Sequence, residues 1–361
     1  MSAAGDHSGP AEDFREQLWT AAVDGDEYTA IQVVFGALER GMPAEDVLLE
    51  VIAPVQQRVG MEWAANRITV AQEHAATAIN DRVIAALAHH PGVHRPASAG
   101  RVTVACVDGE WHAMPARLLA EVLRLHGWRV DFLGAQVPTP HLIAHINQHG
   151  PDVVALSCSI ATGLPTAHAA ITACQAAGVP VLVGGAAFGT DGRFAALLNA
   201  DAWAPDARSA AARLAQGFGP VRIAPTHQAV DDLPHLADQE YTMVRDSAAR
   251  LVQATMSDLE QRLPDVRDYT EQQRQHTTED IAHTIDFLAC ALYTDDDQLF
   301  TQFVAWTAEI LSARDVPAAS LLPSLDSLAA QLTEFPRTQR LLRNARAGLL
   351  VPLSADPELP V

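Results

Sequence analysis

The sequence predicts three compact units in series: a small helical bundle, a doubly wound α/β domain and an all-helical domain. Three observations predict this. Apolar residues repeat at three- and four-residue spacing from about Phe14 to His90, short apolar runs alternate with helical patterns from Val102 onward, and helical periodicity alone returns after Glu240. A chain of 361 residues has the length to bury more than one such core.

In the first unit, residues 11–91, Val47, Leu48, Val51, Ile52, Val55 and Val59 form one apolar stripe, and the stretch accommodates four helices. PGVHRPASAG, residues 91–100, is rich in small and turn-forming residues without periodicity, so a linker is expected. The second unit, residues 100–218, reads as strand (102–107), helix (115–126) and strand (128–133), a βαβ unit. Helix (139–148), strand (153–157), helix (165–177), strand (179–183) and a weaker final pair reaching Gly217 follow. Five strands alternating with helices imply a parallel sheet, whose ligands bind beyond the carboxyl ends of its strands. Residues 218–236, with Pro220, Pro225 and Pro234, read as a second linker. In the third unit, residues 237–350, Ile281, Ile285, Leu288 and Leu292 share one helical face. Phe300, Phe303, Val304, Trp306, Thr307 and Ile310 line the next helix. The proline-rich, acidic tail, residues 351–361, is expected to be disordered.

Composition excludes several chemistries. No uncharged apolar run approaches the roughly 18 residues a membrane span needs, and the first residues lack a basic start followed by an apolar stretch, so a cytoplasmic protein is expected. A net charge of −20 argues against direct DNA contact, which needs clustered positive charge. All 24 basic residues are arginine, which rules out lysine Schiff bases and a P-loop lysine. Cys106, Cys158, Cys174 and Cys290 are too scattered for a zinc site or a disulfide scaffold and read as reduced, buried thiols.

The residues that carry chemistry stand at strand ends. After the first strand of the α/β unit comes Asp108-Gly109-Glu110-Trp111-His112-Ala113-Met114-Pro115. A neutral imidazole there is a good donor to a metal such as cobalt, and a carboxylate accepting its other ring N–H would fix the tautomer and raise its basicity. Glu110 or Asp108 could supply that carboxylate. The third strand ends in Ser157-Cys158-Ser159 and the fourth in Gly184-Gly185, at the same sheet edge. A serine hydroxyl can bond a buried heterocycle, and glycines let backbone approach a bulky ligand, although a plain strand-to-helix turn also explains a Gly-Gly pair.

Together these residues resemble the cobalamin-binding domain of corrinoid methyl carriers and adenosylcobalamin enzymes, a flavodoxin-like fold with the loop pattern Asp-x-His-x-x-Gly, then Ser-x-Leu, then Gly-Gly. The resemblance implies that His112 displaces the cofactor's dimethylbenzimidazole from cobalt, while the displaced tail passes Ser157, Gly184 and Gly185. Here the pattern reads Glu110-x-His112-x-x-Pro115 and Ser157-x-Ser159. Glu in place of Asp resembles the light-sensing, CarH-type branch. Trp63 followed after nine residues by Glu73-His74 is similar to the signature with which that branch covers the upper axial ligand. That branch places a histidine directly after the tryptophan to capture cobalt after photolysis; this chain has Ala64, so the role is left without a residue or falls to another such as His74. No DNA-binding domain precedes the bundle, so repression by operator binding is not expected.

The third unit presents His276, Asp280, His283 and Phe287 along one helix, which a solvated face would explain. The order of units resembles the photocobilins, in which a globin- or phycobiliprotein-like helical domain binds biliverdin. In that reading Asp280 and His283 serve the bilin nitrogens, and Arg274, Arg314 or Arg337 the propionates. Cys290 is a conceivable attachment point, but its apolar surroundings favour packing.

The resulting expectation is a non-enzymatic photoreceptor, likewise expected to be a homo-oligomer, that binds adenosylcobalamin and biliverdin and signals to an unknown partner. A corrinoid methyl carrier and a cobalamin module without photochemistry are the alternatives.

Overall fold

The computed structural model describes residues 8–218 and 233–350. Most of the second linker and the whole acidic tail lie outside the described residues.

The cap consists of α1 (Ser8–Val23), α2 (Glu27–Glu39) and a long rod, followed by α5 (Val70–Ala88). The rod runs from α3 (Ala44–Asp46) through a π-helical stretch, Val47–Ile52, into α4 (Ala53–Ala64). The whole apolar stripe of residues 47–59 is buried, and α5 begins with a capping box in which Thr69 and Gln72 bond reciprocally.

The α/β domain contains β1 (Arg101–Cys106), α6 (Met114–Leu125), β2 (Arg129–Gly134), α7 (Thr139–His149) and β3 (Val153–Ser157). It continues with α8 (Leu164–Ala176), β4 (Val181–Gly184), α9 (Arg193–Leu197), β5 (Ala202–Trp203) and α10 (Ala207–Ala215). All strand pairs are parallel, in the order β2-β1-β3-β4-β5. That order places the topological switch between β1 and β3, where an open sheet of this kind holds its ligand. The linker 91–100 packs along the domain, with Ser98 and Ala99 N–H donating to the Gly127 carbonyl.

The third domain comprises α11 (Glu240–Asp246), α12 (Ala248–Arg262), α13 (Pro264–Arg267), α14 (Glu271–Thr294), α15 (Asp297–Ser312), α16 (Leu322–Gln331) and α17 (Pro336–Leu350). Its described residues are helices and short turns. The α14 stripe Ile281, Ile285, Leu288 and Leu292 is buried, and so are Phe300, Phe303 and Val304. Trp306 departs from the expected lining and points outward.

Two apolar bodies share the sheet. One joins the cap to Val102, Val104, α6 and α10; the other joins α7 and α8 to the third domain. Polar links reinforce both seams. Arg208 of α10 reaches Glu45, Asp46 and Glu50 of the cap, and His168 Nδ1 of α8 lies 2.8 Å from the Tyr293 hydroxyl of α14. Among the described residues no helix is long and apolar enough to cross a membrane.

Candidate functional site

Three loops converge at the carboxyl end of β1, β2 and β3. After β1 the chain turns at Gly109, whose φ of +82° a side chain would strain. It then buries Glu110, exposes Trp111 and leaves the His112 side chain 60% exposed. Pro115 sits in the first turn of α6, where its missing N–H costs nothing.

Glu110 is the hub of this edge. Its Oε1 accepts from the His112 backbone N–H at 2.7 Å and lies 2.7 Å from His112 Nδ1. Its Oε2 accepts from the N–H groups of Ser159 (2.6 Å) and Ile160 (3.1 Å) in the loop after β3. Of the two carboxylates the sequence left open, the orienting one is Glu110, because Asp108 is exposed. Burial pushes the Glu110 carboxyl up, but the hydrogen bonds from the His112 ring, the His112 N–H and the Ser159 N–H outweigh it and hold it below the ordinary range. The same ring bond raises His112, against its partial burial, with help from the charges of Glu110 and Glu73. With Nδ1–H on Glu110, the Nε2 lone pair points away from the carboxylate and is open to a metal. Burial raises the neighbouring Cys106 thiol to about 12, so it stays protonated and does not compete as a ligand.

Glu73, in the first turn of α5, is close enough for its charge to act on His112. Its Oε1 accepts from the Thr77 hydroxyl at 3.0 Å and its other oxygen pairs with Nδ1 of the exposed His74. Trp63, half-buried in the last turn of α4, is joined to α5 by a turn through Asn66, whose φ is +57°. The α4–α5 corner therefore carries all three cap residues.

Below His112, Ser157 and Ser159 have buried hydroxyls with no hydrogen-bond partner among the described residues. A lost hydrogen bond at a buried polar atom costs about 1–3 kcal/mol, so two adjacent orphans are groups to which a polar ligand atom could bond. Gln136, in the loop after β2, stands at the same edge, although no motif in the sequence marks it. Its backbone N–H donates to the Glu110 carbonyl at 3.0 Å, its φ is +49°, and its side-chain Nε2 is buried without a partner. Its position beyond β2 was the available signal. Gly184 pairs in register with Ser157. A Cβ on Gly185, at φ +100°, would lie 2.3 Å from the Cys158 carbonyl oxygen, so the close packing of the β3 and β4 loops already requires this glycine. The same is true, less severely, of Gly184, where a Cβ would meet the Ala204 oxygen at 3.2 Å.

These residues fit a corrinoid. His112 offers a single donor nitrogen, which suits a metal whose equatorial positions are filled by its own macrocycle, and the orphaned Ser157, Ser159 and Gln136 groups suit a heterocyclic tail entering beside β1 and β3.

The third-domain candidates are arranged differently. Asp280 and His283 are exposed on α14. A cavity of about 420 Å³ between α12 and α14 is lined by Val252, Gln253, Met256, Ser257, Glu260, Arg274 and Thr278, and neither Asp280 nor His283 reaches it. Arg274 is there but paired with Glu260. Arg337 does not serve a propionate, because it binds Asp238 (2.8 Å), Asp295 (3.1 Å) and the Leu292 carbonyl. Arg314 is likewise spent on carbonyls of the cap. Cys290 is buried and donates to the Ala161 carbonyl at 2.9 Å, which closes it to covalent attachment. A second cavity, of about 430 Å³, lies between the end of α5, residues 93–97 and α6, remote from the strand-end loops.

Comparison with known proteins bears on the first two units. A B12 binding domain model matches residues 100–215, and a second B12 binding domain model matches residues 14–88. The chain is 34% identical over 183 residues to the HTH-type transcriptional repressor CarA of Myxococcus xanthus and 33% identical over 184 residues to CarH of the same organism. These alignments cover 48% and 49% of this chain but only 59% of each relative. The fold is similar to that of the monomethylamine corrinoid protein of Methanosarcina barkeri, with a TM-score of 0.50 at 20% identity, covering 57% of this chain and 98% of that one. Cobalamin binding is thus supported by both family matches, and the α/β unit has the architecture of corrinoid proteins.

Proposed function

We propose that the chain is a cobalamin-based light sensor. The observation that carries the reading is the pairing of a Glu110-oriented His112 below with the Trp63, Glu73 and His74 corner of the cap above, Glu73 acting on His112 across the gap. Bound adenosylcobalamin would supply a light-labile bond between cobalt and carbon on its upper face. His112 Nε2 would hold the metal from below, with Glu110 fixing the tautomer and keeping the imidazole basic. Ser157, Ser159 and Gln136 would bond the displaced tail, and Gly184 and Gly185 would form the floor beside it. Trp63 would cover the upper group and exclude water, while Glu73 and His74 would bond its polar edge. Ala64 leaves the corner without the second histidine of the light-sensing branch, and His74 is the imidazole available there.

In this reading the chain is a sensor and not an enzyme, works in the cytoplasm as a homo-oligomer, and passes its signal through domain rearrangement to a protein partner, the net charge of −20 weighing against direct DNA contact. The third domain is read as globin-like and as the seat of a bilin such as biliverdin. In that reading the bilin would enter the cavity between α12 and α14, with Val252 and Met256 as apolar wall, and Arg274 would have to leave Glu260 to meet a propionate. A methyl-carrier role is the second reading, favoured by the corrinoid-protein fold; Glu110 in place of Asp and the Trp63 to His74 spacing weigh against it.

The test is colour. Protein loaded with adenosylcobalamin in the dark should change its visible spectrum under green light, and a light-stable spectrum would remove the sensor reading. Far-red absorbance on adding biliverdin would support the second chromophore; an unchanged bilin spectrum would remove it.

A further inference from the structure

The third domain reaches the cap at the Trp63 corner. Helix α15 ends at Ser312, and Arg314 follows in a tight turn closed by Asp315 at φ +60°. From there the guanidinium crosses to the end of α4. Its Nη1 donates to the Ala64 carbonyl at 3.1 Å and to Ile310 of its own helix at 3.0 Å, and its Nη2 donates to the Trp63 carbonyl at 3.3 Å. The guanidinium carbon lies 5.4 Å from the centre of the Trp63 ring. Asn66 in the same turn returns a contact, Nδ2 to the Ala313 carbonyl at 3.5 Å.

Each contact has a physical reason. The last carbonyls of α4 form the negative end of its dipole, and that of Trp63 also accepts the Asn66 N–H at 2.9 Å, so a cation there is favoured. The indole face attracts the same cation, and the planar, pre-organised fork of arginine serves two carbonyls beside the ring with less ordering than a flexible ammonium needs. Meanwhile Cys290 of α14 ties the other side of the third domain to the loop after β3 at Ala161. That loop also holds Ser159 and Ile160, whose N–H groups donate to Glu110. The third domain thus grips both halves of the site, the cap turn above and the Glu110 loop below.

We propose that Arg314 is a positioning residue of the cobalamin site: by clamping the Trp63–Ala64 turn it sets how the cap meets the upper axial group, and so makes the preference for that group depend on the third domain. This rests on the reading that Trp63 covers the upper face. By linkage the coupling runs both ways, so the upper group in turn tightens or loosens the end of α15.

The experiment titrates the full chain in the dark with adenosylcobalamin and, separately, hydroxocobalamin, for the wild type, Arg314→Ala and Arg314→Lys. Arg314→Ala should weaken adenosylcobalamin about 5-fold or more, the lower end of ordinary coupling strengths, with hydroxocobalamin changed by less than about 2-fold. Arg314→Lys, with the charge but not the fork, should fall between. Hydrogen exchange at residues 311–316 should differ between the two loaded forms of the wild type and not between those of Arg314→Ala. Equal weakening of both cobalamins, or no change in either, would reduce Arg314 to a structural contact and overturn the proposal. Because no light is used, the outcome does not depend on photochemistry. A wild type that takes up no cobalamin would instead overturn the cofactor reading, and this proposal with it.

Discussion

The edge around His112 and the exposed face of α14 both present a histidine near a carboxylate, yet the fold treats them differently. At the first, Glu110 is buried, bonded by the His112 ring and three backbone N–H groups, and surrounded by the orphaned polar atoms of Ser157, Ser159 and Gln136. At the second, Asp280 and His283 lie on the exposed face of α14, where partial burial raises the Asp280 carboxyl, and the arginines assigned to help them are held by Glu260, Asp238, Asp295 and the carbonyls of Trp63 and Ala64. The described third domain has buried partnerless oxygens too, Asp258 Oδ2 and Gln331 Oε1, but each belongs to a side chain whose other polar atom is bonded. A ligand site is visible as polarity that the protein buries without satisfying, and only the first region has it in side chains that converge.

That contrast can be broken in order of effect. His112→Ala should cost the most, abolishing the histidine-bound, base-off spectrum of loaded protein and weakening cobalamin by at least about 100-fold, since it removes the ligand itself. Glu110→Gln should cost about 10- to 100-fold, the usual price of losing a ligand's orienting partner, measured by spectroscopic titration. It should also move the pH profile. Protonated His112 cannot bind metal, and its proton affinity is raised above the ordinary 6.5, so wild-type uptake should fall as pH drops through that raised value. In Glu110→Gln the loss should begin at lower pH, and an unmoved midpoint would refute the tautomer-fixing role.

Gly185→Ala should destabilise the apo α/β domain by about 1–3 kcal/mol, from the strained φ and the clash with Cys158, read in a denaturant midpoint. Ser157→Ala separates ligand from scaffold by sign. Removing an orphaned hydroxyl should leave the apo protein as stable or raise its stability by about 1 kcal/mol, while cobalamin binds more weakly; loss of apo stability would mean the hydroxyl is already satisfied. The smallest effect belongs to the other region, where Asp280→Asn combined with His283→Ala should change stability by less than about 0.5 kcal/mol and leave cobalamin affinity unchanged.

Local periodicity made most of the fold legible. The stripe from Val47 to Val59, the alternation of strands and helices, and the α14 stripe each record burial on one face of one element, which the sequence carries directly. The two-residue β5 was weak in the sequence because so short a strand has no period to display. The meeting of His112, Glu110 and Ser157 at one edge was legible because each follows or ends a strand of one parallel sheet. Gln136 was not, since its importance is a backbone bond to Glu110 and an unpaired amide, neither of which is a pattern. Arg314 and Arg337 were misread for the same reason. An arginine's partners across 250 or 99 residues are set by tertiary packing and leave no trace in local spacing.

The central claim is that His112, and not the cofactor's own base, holds the metal. Electron paramagnetic resonance of the protein loaded with cobalamin and reduced to the cobalt(II) state tests it most directly, using chain grown with ¹⁵N-histidine. The account predicts that the axial nitrogen splitting changes from the triplet of ¹⁴N to the doublet of ¹⁵N. A triplet that persists in the labelled protein would place the cofactor's dimethylbenzimidazole on cobalt and contradict the assignment.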